Sequence, residues 1–210
     1  MSTRFILVRH GETPASIEGR FAGTTDVPLT DQGQEQVRAL ARRLRQVRVD
    51  AMFVSPLLRC VQTAEPITEL TGRKPTLTAE IRECDFGSWE NLTGTEIRDE
   101  YGDAFRSWID DQSTAPHGGE SWDDLGGRVG GWFTSASERY NGRTVLAVTH
   151  GGPIMWLSRH VAQGSSTGIF SFEIDPASVT VVQRRGPFWR IKLLNDTTHL
   201  RDPLLTATES

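Results

Sequence analysis

The 210-residue sequence contains only two cysteines and has no long hydrophobic run. Cys60 and Cys84 are too few for a disulfide framework, and their spacing lacks the close pairs of a zinc site. The longest apolar stretches are too short to cross a bilayer, and the N-terminus lacks the apolar core of a signal peptide. We therefore expect a protein of the reducing cytoplasm with no membrane partner.

The sequence also has no excess of positive charge. Its formal net charge is -4, so no basic surface is left over for the backbone of a nucleic acid or for an anionic membrane. A hydrophobic content of 37% is typical of a folded protein. We predict a single domain over residues 1–200 and a flexible tail over residues 201–210. Any anion that the protein binds must meet positive charges grouped at one place.

Short apolar runs alternate with helical patterns along the chain. Apolar residues at helical spacing predict a helix over residues 31–46. Ser55 and Pro56 predict the start of a second helix, which we expect to end at Gly72 and to be kinked at Pro66. Runs rich in β-branched or aromatic residues predict five strands, over residues 5–8, 51–54, 144–148, 178–183 and 189–194.

Capping residues indicate two further helix starts, at Thr93 with Glu96 and at Ser121 with Asp124. Strands that alternate with helices predict an α/β fold, here a three-layer αβα sandwich. We expect a mostly parallel sheet whose last two strands form an antiparallel hairpin at one edge. The stretch over residues 83–120 fits the alternation poorly. It predicts an insertion that covers the C-terminal rim of the strands.

Polar residues that could do chemistry follow three of the predicted strands. Arg9 and His10 end the first strand, Arg59 lies shortly after the second, and His150 follows the strand over residues 144–148. The carboxyl ends of parallel strands meet at one rim of a sheet. Two arginines and two histidines are therefore expected to lie close together.

This set of residues suits phosphoryl transfer. A phosphate monoester carries about two negative charges near neutral pH, and an arginine guanidinium can bind two of its oxygens without a metal. A neutral imidazole attacks phosphorus if its other nitrogen is held as a donor, and the turn at Gly11 would bring a backbone carbonyl to His10 for this purpose. The glycines after His150 would begin a helix whose N–H groups form a further anion site.

Glu83, at the start of the insertion, is the candidate proton donor to the leaving oxygen, and Asp85 is the competing candidate. Two histidines and a glutamate also suit a metal ion, but adjacent arginines would repel a divalent cation, so we expect no metal. We interpret the remaining histidines and the cysteine beside Arg59 as structural residues: His117, His160, His199 and Cys60.

Several motifs follow one another in a fixed order along the chain. They are Leu7-Val8-Arg9-His10-Gly11, Ser55-Pro56-Leu57 with Arg59, Glu83 with Phe86-Gly87-Ser88-Trp89-Glu90, Gly118-Gly119-Glu120-Ser121, and His150-Gly151-Gly152. In this order and spacing they resemble the histidine phosphatase superfamily, in its phosphoglycerate mutase-like branch. The resemblance extends from residue 5 to about residue 164.

The resemblance implies a role for each matched residue. His10 would be the phosphorylated nucleophile and Glu83 the proton donor, and no metal or cofactor would be needed. The phosphate pocket would consist of Arg9, Arg59 and His150, and further substrate contacts would come from Ser16, Gly23 and Gly151.

Departures from the mutase pattern favour a phosphatase. Ser16 and Gly152 stand where mutases of this branch carry asparagines, and the insertion has only isolated Arg98 and Arg106 in place of the neighbouring arginines that hold a phosphoglycerate carboxylate. The motifs resemble the alpha-ribazole phosphatase and small-metabolite phosphatase subgroup, although Asn91 and Met155 depart from its pattern.

The sequence thus predicts a metal-independent phosphatase that hydrolyses small phosphorylated metabolites through a phosphohistidine. Two alternatives stay open, a cofactor-dependent phosphoglycerate mutase and a non-catalytic protein that binds a phosphate ligand. The substrate is not specified by the sequence, and a homodimer is compatible with it.

Overall fold

Six strands form one sheet in the part of the chain that the computed structural model describes, residues 2–162 and 172–200. They are β1 (Ser2–Arg9), β2 (Ala51–Val54), β3 (Thr76–Leu77), β4 (Thr144–Thr149), β5 (Val179–Arg185) and β6 (Phe188–Asp196). Their order across the sheet is β3-β2-β4-β1-β5-β6. The first four strands pair in parallel, whereas β5 pairs antiparallel with both β1 and β6.

The helices of the described residues are α1 (Pro14–Glu18), α2 (Asp31–Leu44), α3 (Leu58–Thr71), α4 (Gly94–Asp110), α5 (Trp122–Arg139) and α6 (Gly151–Ala162). Short 3-10 helices occupy Ala79–Ile81, Gly87–Trp89 and Thr198–Leu200. The predicted α/β fold, with a mostly parallel sheet and an antiparallel edge, is confirmed.

The central strand β1 is buried on both faces. Ile6 and Val8 pack with residues of α2 and α3, whereas Phe5 and Leu7 pack with residues of α5 and α6. Successive side chains of a strand point to opposite faces, so an unbroken apolar run is what a strand between two helix layers requires. This burial fixes the end of β1, where Arg9 and His10 lie.

Two local predictions were wrong. The sequence missed β3, because two exposed residues are too few to show a strand pattern. The helix predicted to begin at Ser55 begins at Leu58, and its N-cap residue Leu57 makes no side-chain cap. The cap comes from elsewhere, since the Leu58 N–H donates to the Asp26 carboxylate at 2.7 Å. The Ser55 hydroxyl is engaged instead by a histidine, described below.

Other predictions were close or lie beyond the described residues. Helix α2 ends at Leu44, two residues before the predicted end, and α3 ends at Thr71 with Gly72 as its C-cap, as expected. The tail predicted for residues 201–210 falls outside the described residues. No helix of residues 2–162 and 172–200 is long and apolar enough to cross a bilayer.

The insertion is held against the rim of the sheet by aromatic packing. Helix α4 begins with the predicted capping box of Thr93 and Glu96. Trp108 of α4 lies edge-on to Phe21 and Phe86, with ring centroids 6.1 Å and 6.2 Å away. Aromatic pairs of this kind add to the free energy of burial. The insertion therefore supplies an aromatic wall above the ends of β1 and β4.

The four glycines of α5 divide into two kinds. A Cβ at Gly126 or Gly130 would collide with the Trp156 indole of α6, whereas a Cβ at Gly127 or Gly131 would meet no atom within 4 Å. The first two glycines thus permit the close packing of α5 and α6, and the other two only cost helix stability.

We expect Gly127→Ala and Gly131→Ala each to raise the free energy of unfolding by about 0.5–1 kcal/mol, because alanine loses less backbone entropy in a helix. Gly126→Ala is the matched control and should lower the free energy of unfolding by about 1–3 kcal/mol, because the new methyl group overpacks the helix contact. Urea unfolding curves measure all three. Equal effects at the three positions would contradict this account of the helix packing.

Candidate active site

A pocket of about 550 Å³ opens at the carboxyl ends of β1 and β4. Its floor contains Arg9, His10, Arg59 and Glu83. Its apolar walls come from the insertion, from rim loops and from helices α1, α5 and α6: Ala15, Phe21, Ala22, Phe86, Trp108, Trp122, Met155, Phe172 and Ile174. The pocket therefore joins a charged floor to a largely aromatic wall.

The His10 imidazole is held as a neutral ring whose Nε2 has no hydrogen-bond partner among the described residues. Its Nδ1 lies 2.7 Å from the Gly11 carbonyl oxygen, which can only accept, so Nδ1 carries the proton and Nε2 keeps its lone pair. Burial, followed by the positive charges of Arg9 and Arg59, holds the pKa of His10 well below its usual range. A buried neutral imidazole with a free Nε2 is competent as a nucleophile.

The turn after His10 is fixed by its neighbours. The Gly11 N–H donates to the Thr63 hydroxyl at 3.0 Å, and Thr63 in turn donates to the Arg59 carbonyl. A Cβ at Gly11 would lie only 2.8 Å from Val37 of α2, so glycine lets the turn pack against that helix. The orientation of the imidazole is thus set by packing and hydrogen bonds together.

Arg9 has donors to spare. Its Nη1 donates to the Ile174 carbonyl, and its Nε is buried without an acceptor among the described residues. Burial lowers the pKa of Arg9, and the charges of Glu83 and Asp175 counteract this effect. A half-buried guanidinium with a buried, unpaired Nε beside His10 suits an anionic ligand.

Arg59 is almost fully engaged by the protein. Its Nε donates to His150 Nδ1 at 3.2 Å, and its Nη atoms donate to the carbonyls of Ala22, Gly23 and Thr25. A guanidinium has five N–H groups, so these four contacts leave one, on Nη1. In this geometry Arg59 offers a phosphate group its charge and one N–H donor. A bidentate contact to the phosphate must therefore come from Arg9.

His150 lies beneath His10 and away from the pocket surface. Its Nδ1 accepts from Arg59, so its Nε2 carries the proton and donates to the Ser55 hydroxyl at 2.7 Å. The ring centroids of His150 and His10 are 5.2 Å apart. Burial, together with Arg59, holds the pKa of His150 well below its usual range. Both nitrogens have protein partners, so the arrangement makes His150 a support for Arg59.

Glu83 reaches the pocket from the insertion and is held by the start of α6. The Gly152 N–H donates to both of its carboxylate oxygens, at 3.1 Å and 3.2 Å, and the Cys84 N–H donates to Oε1. A Cβ at Gly152 would collide with Oε1, so glycine permits this approach. The competing candidate Asp85 does not line the pocket, and its carboxylate accepts from the Gly87 N–H.

The three further substrate contacts expected from the sequence are placed differently. Gly151 lines the pocket beside Arg9 and Glu83. Ser16 also lines it, but its hydroxyl donates to the Thr13 carbonyl in the capping box of α1. Gly23 lies outside the lining, and its N–H donates to the Glu90 carboxylate. A ligand contact from the Gly23 N–H would require that bond to break.

Cys60 and the histidines predicted to be structural do not line the pocket, although the Cys60 thiol lies 3.4 Å from His150 Nε2 behind the floor. The Cys60 thiol is fully buried, and burial raises its pKa, so it is a poor nucleophile. His117 is exposed, and the His160 ring stacks on Trp156 at a centroid distance of 5.0 Å. Within the described ranges, no three His, Cys, Asp or Glu residues are grouped so that they could hold a metal ion.

Several supporting residues escaped prediction because their role is visible only in space. Thr63 holds the Gly11 turn, Ser55 holds His150, and Gly152 holds Glu83. Ser55 and Gly152 belong to motifs given above and Thr63 lies one turn after Arg59, but a motif does not say which partner a hydroxyl or an N–H group contacts. The charged floor itself was predictable from the strand ends.

The sequence profile of the histidine phosphatase superfamily (branch 1) matches residues 5–197. This chain belongs to that superfamily. Among superfamily members of known structure, Bacillus stearothermophilus YhfR is 30% identical, with a TM-score of 0.87 over 95% of this chain and 100% of that one. The alpha-ribazole phosphatase of Shigella flexneri is 26% identical, with a TM-score of 0.82 over 92% and 96% of the two chains.

Curated relatives carry the names of both reaction types of the superfamily. Phosphoserine phosphatase 1 of Hydrogenobacter thermophilus is 31% identical over 94% of each chain. A 2,3-bisphosphoglycerate-dependent phosphoglycerate mutase of Rhizobium etli is 32% identical over 86% of this chain and 90% of its own. The chain spans only 55% of the length of the mycobacterial relatives that it also matches.

Proposed function

We propose that this protein is a metal-independent phosphatase that hydrolyses small phosphorylated metabolites through a phosphohistidine at His10. The observation that carries the proposal is the neutral His10 imidazole, whose Nδ1 is bound to the Gly11 carbonyl and whose Nε2 is free beside two arginines. The name of the phosphoserine phosphatase relative supports hydrolysis.

The proposed reaction has two displacements at phosphorus. In the first, His10 Nε2 forms a bond to phosphorus while the ester oxygen leaves and takes a proton from Glu83. In the second, Glu83 takes a proton from water, the water oxygen bonds to phosphorus, and the N–P bond breaks to release phosphate. Arg9 and Arg59 supply positive charge in both steps, which is the electrostatic role that a metal has in other phosphatases.

The pocket walls favour hydrolysis over the mutase reaction. A phosphoglycerate mutase must hold the substrate carboxylate, yet Arg20, the remaining arginine of the lining, is paired with Glu18 and Glu96. The apolar wall suits the organic part of an ester better than a second anionic group.

The test is a panel of phosphate monoesters assayed for released phosphate in the presence of EDTA. We expect turnover to survive chelation and esters with apolar or aromatic groups to have lower KM values than 3-phosphoglycerate, because they fit the aromatic wall. Loss of turnover on chelation, restored by a divalent ion, would contradict the mechanism. Efficient interconversion of 2- and 3-phosphoglycerate would favour the mutase alternative instead.

A further inference from the structure

The carboxylate of Glu90 lies at the centre of a dense set of hydrogen bonds. It accepts from the backbone N–H groups of Gly23, Thr24 and Thr25, from the Thr25 hydroxyl, and from the Phe86 N–H, at 2.6–3.2 Å. Every partner is a donor, so only an acceptor with two oxygens satisfies the set. Glu90 therefore ties residues 22–25 to the insertion.

Residues 22–25 present their other polar groups to Arg59. The carbonyls of Ala22, Gly23 and Thr25 each accept from the Arg59 guanidinium at 2.9 Å. The N–H side of this short segment thus faces Glu90, while its carbonyl side faces Arg59. A shift of its peptide planes would move both sets of contacts together.

Packing restricts the segment further. A Cβ at Gly23 would collide with the Cys84 carbonyl oxygen, so the segment lies directly against the insertion. Arg59 is only 1% exposed, and no carboxylate of the described residues is in direct contact with its guanidinium. Its position depends on the three carbonyls and on His150.

We infer that Glu90 is a positioning residue for the phosphate site: through residues 22–25 it fixes the Arg59 guanidinium in the orientation that binds the phosphoryl group. This inference rests on the proposed function, because it assumes that the charged floor binds phosphate. It assigns to Glu90 a role in anion affinity although Glu90 itself does not line the pocket.

The test is calorimetric titration with orthovanadate, which is phosphate-shaped and requires no turnover. Glu90→Gln places an NH₂ donor against N–H donors, so we expect it to weaken vanadate binding about 10-fold. In the Arg59→Ala background the same change should alter binding by less than about 2-fold, because a residue that acts through Arg59 has no effect once Arg59 is gone. Undiminished binding by Glu90→Gln, or additive losses in the double variant, would overturn the inference.

Glu120→Gln is the matched control. Glu120 is another insertion carboxylate that accepts from a backbone N–H, that of Asp85, and from Arg128, but it does not contact residues 22–25. The Glu120→Gln substitution should lower the melting temperature and leave the affinity for vanadate unchanged. A loss of affinity in this control equal to that of Glu90→Gln would assign the effect to general loosening of the insertion and overturn the inference.

If Glu90→Gln does not fold, Thr25→Val provides a milder change, because it removes the hydroxyl donor to Glu90 and a long contact from Asn91 at 3.4 Å but leaves the backbone N–H donors to Glu90 in place. We expect vanadate binding about 2- to 3-fold weaker than wild type, and unchanged affinity would count against the inference. A wild-type protein that binds no vanadate would overturn the proposed function and the inference together. Normal wild-type binding with unaffected variants would overturn the inference alone.

Discussion

Replacement of His10 by alanine should lower kcat by about 10,000-fold or more, while the charged floor still binds a phosphate analogue. The reason is that His10 Nε2 is the free nitrogen of a buried neutral imidazole, and its loss removes the intermediate that divides one difficult displacement into two easier ones. Arg9 and Arg59 stay in place in this variant. Steady-state kinetics and vanadate titration measure the two effects separately.

Trapping experiments test the same prediction directly. Quenching in alkali with ³²P-labelled substrate should leave acid-labile, base-stable label on the wild type and none on His10→Ala. The matched control is His160→Ala, which removes an exposed histidine stacked on Trp156 and should label like the wild type. Label that persists on His10→Ala would show that another side chain is the nucleophile.

The pKa of His10 also predicts a pH dependence. Burial and the two arginines hold this pKa well below the ordinary value of 6.5, so the ring stays neutral as the pH falls through 6.5. In the unfolded chain His10 takes up a proton as the pH falls through 6.5, whereas in the folded protein it does not. The free energy of unfolding therefore decreases as the pH falls through this range. Because the His10 imidazole keeps its lone pair, kcat should not fall near pH 6.5 through protonation of His10.

The location of the site followed from the sequence because strand ends carry that information. An apolar run such as residues 5–8 predicts a strand buried between helices, and parallel strands bring their carboxyl ends to one rim. Arg9, His10 and His150 lie directly at such ends, so their proximity could be predicted without knowing the conformations of the loops. Arg59 is the second residue of α3, separated from β2 by the loop over residues 55–57, and it reaches the same place because α3 begins at the rim.

The partners of these residues could not be read from the sequence. From the sequence, Ser55 before a proline suits a helix N-cap as well as a hydrogen bond to His150. In the structure Asp26 accepts from the first N–H group of α3, and the Ser55 hydroxyl bonds to His150. Likewise, Gly23 was expected to contact substrate, but its N–H group points to Glu90, 67 residues away in the chain. Long-range pairing of this kind depends on how the insertion folds back, which local patterns do not encode.

Glu83→Gln should reveal whether this carboxylate is the proton donor. We expect esters of aliphatic alcohols to react about 100- to 10,000-fold more slowly, because an alkoxide needs a proton as it leaves. The rate of p-nitrophenyl phosphate hydrolysis should fall by less than about 10-fold, because nitrophenolate leaves readily without a proton. A series of esters with graded leaving-group pKa measures the difference, and the dependence of kcat/KM on that pKa should be steeper in the variant than in the wild type.

Asp85→Asn separates Glu83 from its competitor. Asp85 lies outside the pocket lining and accepts from the Gly87 N–H, so its replacement should slow all esters by the same small factor. We expect the opposite pattern for Glu83, because the start of α6 holds its carboxylate beside Arg9. Among the described residues, the Gly152 N–H is the one group that donates to Oε2. Equal losses for aliphatic and nitrophenyl esters in Glu83→Gln would give Glu83 a positional role. A leaving-group effect in Asp85→Asn instead would make Asp85 the acid.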